Sequence, residues 1–172
     1  MSAQPTALLE TDRLILTPLT VADATDMVLV LADIELYSFT GGLAPTLDQL
    51  AARYGAQVLG SSSPTEQWHN WIIRLRDSNR AIGYVQATVI GTSADVAWVV
   101  GLAWQGSGRA REASNSMCGW LRQCGIILLQ AHIHPEHHAS AAVATACGLT
   151  PTDAFDDDGE RIWEWRATGP GT

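Results

Sequence analysis

Gln105-Gly106-Ser107-Gly108-Arg109-Ala110 stands between two stretches of different hydrophobic period. Before it, residues 95–101 read as a strand. After it, Ala110, Ala113, Met117, Trp120, Leu121 and Cys124 form a 3.6-residue apolar stripe that Gly125 ends, the pattern of an amphipathic helix. Two glycines let the backbone turn tightly and expose its amides with no Cβ in the way. A helix that begins there leaves its first N–H groups unpaired and adds partial positive charge. Glycine turn and helix start make a cradle for a diphosphate, with Arg109 and Arg111 as added charge. No Gly-Lys-Ser/Thr follows and GxGxxG is incomplete, so this is neither a Walker loop nor a dinucleotide fingerprint. On spacing alone, an ordinary strand–helix turn fits the same residues.

Working outward, residues 68–76 and 81–90 are β-type runs joined by Asp77, Ser78 and Asn79, and the turn at 91–93 leads into the strand before the glycines. Residues 14–18 read as a first strand. Thr20 caps a helix over 21–32, the loop at 41–45 breaks it, and Thr46 caps a second helix carrying Leu47, Leu50, Ala51 and Tyr54. Residues 59–65 form a surface linker. Beyond the stripe, the sequence predicts a strand at 126–134, an alanine-rich helix at 139–147 ended by Gly148, and a last strand at 161–166. The expected architecture is α/β (α+β), a mixed and mostly antiparallel sheet flanked by helices. One domain would cover 1–167, and 168–172 would be a flexible tail.

Composition narrows the chemistry. With 172 residues, 47% hydrophobic and 16% charged, the chain can bury a core and is not a disordered tail. A formal charge of −8 opposes binding to nucleic acid. All ten basic residues are arginine, so no lysine Schiff base is available. Cys118, Cys124 and Cys147 are odd in number and form no CxxC pair, which argues against a disulfide scaffold or a four-thiolate zinc site. The first twenty residues show no signal-peptide pattern, and apolar runs fall short of the ~18 residues of a membrane span. These features lead us to expect a cytoplasmic protein.

Gln105-x-x-Gly108-x-Ala110 after a strand, followed by Arg111-Glu112-Ala113, resembles the coenzyme A signature of the GNAT superfamily of N-acetyltransferases. Leu9-Glu10-Thr11-Asp12-Arg13-Leu14-Ile15-Leu16 resembles the branch that contains the ribosomal-protein N-terminal acetyltransferases. So does His134-Pro135-Glu136-His137-His138-Ala139-Ser140 with Gly148-Leu149 beyond it. The resemblance runs from about residue 8 to residue 165. It implies acetyl-CoA as co-substrate, no metal, and transfer to a primary amine, either a protein N-terminus or a small molecule; a homodimer fits this reading too. It also implies that Trp98, Val99, Val100 and Gly101 hold the pantetheine arm in a splayed strand gap. The amide of Val100 would face the thioester oxygen. Gly106, Ser107, Gly108, Arg109 and Ala110, behind Gln105, would take the pyrophosphate.

Amine acetylation needs a neutral amine, because a primary amine with a pKa of roughly 10 is almost fully protonated at neutral pH. Asp95 stands where the resemblance places a carboxylate; it is either a water-relayed base or an ordinary acid near a turn. Glu66 is a weaker candidate. Ser140 matches a serine that relatives use as an acid toward the departing thiolate, or it simply opens a short helix. His137 replaces the usual asparagine of that pattern, which puts the coenzyme contact made there in question.

Other signals read more simply. His132 and His134 share a strand face without a carboxylate or cysteine at close ligand spacing, so they line a cleft edge rather than bind metal. Trp98 and Trp120 read as core, Trp68 and Trp71 as edge-strand packing, and Asp156, Asp157, Asp158 and Glu160 as a solvated hairpin tip. A non-catalytic acyl-CoA sensor would keep the Gln105–Ala110 cradle and dispense with Asp95 and Ser140.

Overall fold

In the computed structural model, which describes residues 4–168, the chain order is β1 (Leu9–Glu10), β2 (Leu14–Pro18), α1 (Ala24–Val30), α2 (Leu47–Leu59), β3 (Glu66–Leu75), β4 (Ala81–Ile90), β5 (Ser93–Val100), α3 (Arg109–Gln123), β6 (Leu128–Ile133), α4 (His138–Ala146), β7 (Thr150–Phe155) and β8 (Arg161–Arg166). The strands form one sheet in the order β1-β2-β3-β4-β5-β6-β8-β7. Only β5 and β6 run parallel; every other pairing is antiparallel. The mixed, mostly antiparallel α+β fold is the one expected.

Alternation along the strands sends side chains to two cores. Val85, Ala87, Ala94, Val96 and Val100 meet Met117 and Leu121 of α3 and Ala144 of α4 on one face. Ile72, with Tyr84 and Val99 partly covered, meets Met27 of α1 and Leu50 and Tyr54 of α2 on the other. Trp71 is fully buried, so the edge-packing expectation for it is wrong. Its indole Nε1 donates to the carbonyl of Ala7. Trp120 and Trp98, expected in the core, are only partly buried and pack against it.

Local chemistry sets the helix starts. The Thr46 hydroxyl accepts from the amide of Gln49 at 3.2 Å, and Gln49 Oε1 accepts from the amide of Thr46 at 3.0 Å, a reciprocal cap. Thr20 and Asp23 start the first helical segment similarly, but it opens as a 3₁₀ turn over Val21–Asp23 and α1 ends at Val30. A further 3₁₀ turn, Ile34–Tyr37, occupies the span before the 41–45 loop. Residues 169–172, most of the expected tail, lie outside the described residues.

One irregularity shapes the site. The parallel ladder between β5 and β6 covers only Ser93–Leu128, Ala94–Leu129 and Asp95–Gln130, although β5 continues to Val100 and β6 to Ile133. Past Asp95 the two strands diverge.

Candidate active site

The divergence opens a cleft of about 670 Å³. Trp98, Val99 and Val100 line it from β5, Gln105, Gly106, Gly108, Arg109 and Ala110 from the glycine turn and α3, and His137 and Ser140 from the start of α4. The amide of Gly101 donates to the carbonyl of Ile82 on the β4 side. Backbone groups alternate along a strand, so the N–H groups of Trp98 and Val100 point the other way, into the gap. Gly83 allows the close approach of β4 and β5 here, for a Cβ on it would lie 2.2 Å from the carbonyl oxygen of Val99. Space is tight at Gly101 as well: a Cβ there would lie 3.0 Å from the Trp104 ring and from the Val30 side chain.

The glycine turn fits a diphosphate. Gly106 and Gly108 hold φ of +78° and +79°, a left-handed backbone that glycine adopts without strain. No side chain caps α3 at Gly108, so the first amides of a 15-residue helix remain available at the cleft. The turn is braced from outside. Arg13 donates through Nη1 to the carbonyl of Ser107 at 3.0 Å and through Nε to Glu112 at 2.7 Å. The Thr11 hydroxyl donates to Glu112 at 2.6 Å. The Gln105 side-chain amide donates to the carbonyl of Val100 at 2.8 Å, tying the turn to β5.

His137 occupies the N-cap of α4, and its Nδ1 accepts from the amide of Ser140 at 3.0 Å. The imidazole performs the capping that an asparagine oxygen would perform. Burial lowers its pKa, which keeps Nδ1 free to accept. The Phe39 ring lies 4.3 Å from it, centroid to centroid, and reaches across from the segment before α2.

Asp95, Ala97 and Val99 face away from α3. Asp95 is exposed, with its Oδ1 3.9 Å from Nε2 of His132. The other nitrogen of that imidazole, Nδ1, is 2.8 Å from Asp156. Asp156 also accepts from the amides of Asp158 and Glu160. The hydrogen bond with His132 and those amides hold the Asp156 carboxyl below its usual pKa. The tip is therefore not merely solvated: one of its acids orients a histidine beside the cleft. Glu66 lies at the far end of β3, bonded to the Trp68 indole, and does not line the cleft. Among the described residues no three His, Cys, Asp or Glu side chains converge as a metal site.

A model of the acetyltransferase (GNAT) domain matches residues 13–150. The chain belongs to the GNAT acetyltransferase family. Solved structures share the fold at low identity. A provisionally assigned ribosomal-protein-serine acetyltransferase from Vibrio cholerae is 16% identical, with a TM-score of 0.75 over 96% of this chain and 100% of that one. The microcin C7 self-immunity acetyltransferase MccE, in complex with acetyl-CoA and AMP, is 15% identical, with a TM-score of 0.79 over 96% and 99%. RimL, a ribosomal L7/L12 alpha-N-protein acetyltransferase in complex with coenzyme A, is 12% identical, with a TM-score of 0.76 over 93% and 98%. No curated protein sequence matches the chain.

The GNAT fold explains why two distant motifs occur together in this sequence. Thr11 and Arg13 belong to the opening motif, and both bind Glu112, three residues past Arg109. Gly83 and the His132–Asp156 pair escaped the sequence reading. A glycine inside an otherwise apolar strand pattern was the available signal for the first; the second is a contact between residues 24 apart and had none.

Proposed function

We propose that residues 1–167 form one acyl-CoA N-acyltransferase domain that moves the acetyl group of acetyl-CoA to a primary amine by direct attack. The observation that carries this reading is one cleft joining the uncapped α3 amides to the strand gap at Trp98–Val100. The diphosphate lies on Gly106 to Ala110 and the pantetheine arm follows β5. The amine nitrogen forms a bond to the thioester carbon while the carbonyl oxygen gains charge facing the Val100 amide. The C–S bond then breaks, and the Ser140 hydroxyl passes a proton to the thiolate while taking one back from solvent. A thiol pKa of about 8.5 already makes thiolate a fair leaving group, so Ser140 assists rather than decides the rate. The amine gives up its proton to Asp95 through water, with His132 positioned to relay it.

We place the reaction in the cytoplasm, a compartment that suits three unpaired thiols. No described helix is long and apolar enough to cross a membrane. The test is thiol release from acetyl-CoA across amines and short N-terminal peptides. Release with one acceptor class supports the transferase; acetyl-CoA binding with silence across the panel favours a sensor instead.

A further inference from the structure

On the α1–α2 side of the sheet a second cavity, of about 220 Å³, lies between α2 and the strands β3 and β4. Its lining is unusually polar for that position. Arg53, Tyr54 and Gln57 come from α2, Asn70 from β3, and Tyr84 and Gln86 from β4. Helical spacing puts Arg53 and Gln57 on one face, and cross-strand register sets Asn70 directly opposite Gln86.

Two features suit this cavity to a ligand. Tyr54 is 5% exposed, and its phenol oxygen is cut off from water with no hydrogen-bond partner among the described residues. Such a group is costly unless something completes it. Burial raises its pKa, so the hydroxyl stays a donor. Arg53 is the second feature. The chain carries 18 acids against ten arginines, and Arg13, Arg74, Arg76, Arg161 and Arg166 are each within 4 Å of one of those acids. Arg53, like Arg80, Arg109, Arg111 and Arg122, forms no ion pair among the described residues, but of these five it alone lines this cavity, and its charge acts on Tyr37, Tyr54 and Tyr84. A lone guanidinium at the mouth of a cavity rich in hydroxyl and amide donors is chemically matched to a carboxylate.

The cavity adjoins the cleft. Tyr84 lines both, and it pairs with Val99 while Gln86 pairs with Ala97, two cleft residues of β5. Neighbouring strands lie about 4.8 Å apart, so an acceptor must carry its carboxylate several bonds from its amine to reach from this cavity towards the strand gap. We propose that this cavity receives a carboxylate of the acceptor, making the preferred substrates amines that carry one. The inference rests on the acetyl-transfer reading above. A long-chain ω-amino acid and a peptide with an acidic second residue present the same chemistry.

The experiment compares matched acceptors by thiol release, after acetyl-CoA binding has been verified by its effect on Tm. One pair is a long-chain ω-amino acid and its carboxamide; the other is a tripeptide amide with Glu or Gln in second place. The expected result is a kcat/KM at least roughly tenfold higher for the acid form of one pair, the scale of a charge-assisted hydrogen bond. The pair that shows it identifies the source of the carboxylate. Arg53→Gln should erase the preference while leaving the acetyl-CoA shift intact. Tyr54→Phe should raise KM for the acid form without lowering the Tm of the free protein. Equal rates within both pairs, a preference that survives Arg53→Gln, or acetyl-CoA binding with no turnover of all four would overturn the assignment. Absence of any acetyl-CoA shift would sink the transferase reading itself, and shows before an acceptor is added.

Discussion

Arg13 and Glu112, ninety-nine positions apart, form a two-armed ion pair: Nε and Nη2 of the guanidinium lie 2.7 and 2.6 Å from the same carboxylate oxygen. Burial alone would raise the Glu112 pKa. Hydrogen bonds from Thr11 and from the backbone and side chain of Arg13, with the charge of Arg13, outweigh that and leave it lowered. A carboxylate with a depressed folded-state pKa contributes stability that is present above its unfolded value of 4.5 and is lost as pH falls through the folded value. Glu112→Gln should therefore cost about 1–2 kcal/mol at pH 7, a range that allows for solvent screening of the half-exposed Arg13, and less at pH 3. Because Arg13 also holds the Ser107 carbonyl, the same change should raise KM for acetyl-CoA more than it lowers kcat.

The glycine turn gives a sharper test. At hundredfold excess over Kd, acetyl-CoA should stabilise the protein by about 2.7 kcal/mol, visible as a rise in Tm. Gly108→Glu puts a side chain on a φ of +79° and a negative charge where phosphate is expected, and should abolish the rise. A shift that survives it would place the coenzyme elsewhere.

The fold was legible where one period ran uninterrupted. Ala81–Ile90 and Arg161–Arg166 agree with their expected bounds, and α3 begins one residue before the first stripe position. Elements without such a pattern were not. β7 reads Thr-Pro-Thr-Asp-Ala-Phe, an exposed edge strand with a proline and no apolar alternation. β1 is two residues long and exists only through its pairing with β2. The glycine turn could be read locally because its chemistry lies in adjacent residues. The His132–Asp156 contact is made by the β6–β8–β7 packing and has no local trace.

Asp95 and His132 test the acceptor side. His132→Gln should lower kcat at neutral pH by about a hundredfold while acetyl-CoA binding persists. Asp95→Asn should also lower kcat, with activity recovering toward pH 9 as free amine becomes available without help. A parallel loss at every pH would remove Asp95 from proton transfer.

One buried and one half-buried histidine predict how stability depends on pH. His69 is 4% exposed beside Trp71 and Trp120, and burial lowers its pKa; burial lowers that of His137 as well. Below 6.5 the unfolded chain binds protons that the folded one resists, so Tm should hold above that pH and fall beneath it. His69→Asn should flatten part of the slope.

Asp23 and Arg74 are 8% and 13% exposed and paired to one another. Asp23→Ala leaves Arg74 with only the exposed Asp26 at 3.6 Å and the Asn79 carbonyl, takes from Thr20 the acceptor of its cap, and should cost about 1–3 kcal/mol by chemical denaturation.

Direct detection of N-acetylated amine and free coenzyme A by mass spectrometry, after incubation of protein, acetyl-CoA and an amine panel, tests the central claim most closely. Equal amounts of both products should form with at least one acceptor and be lost with Gly108→Glu. Coenzyme A released without any acetylated amine, or no product while acetyl-CoA is bound, would contradict it.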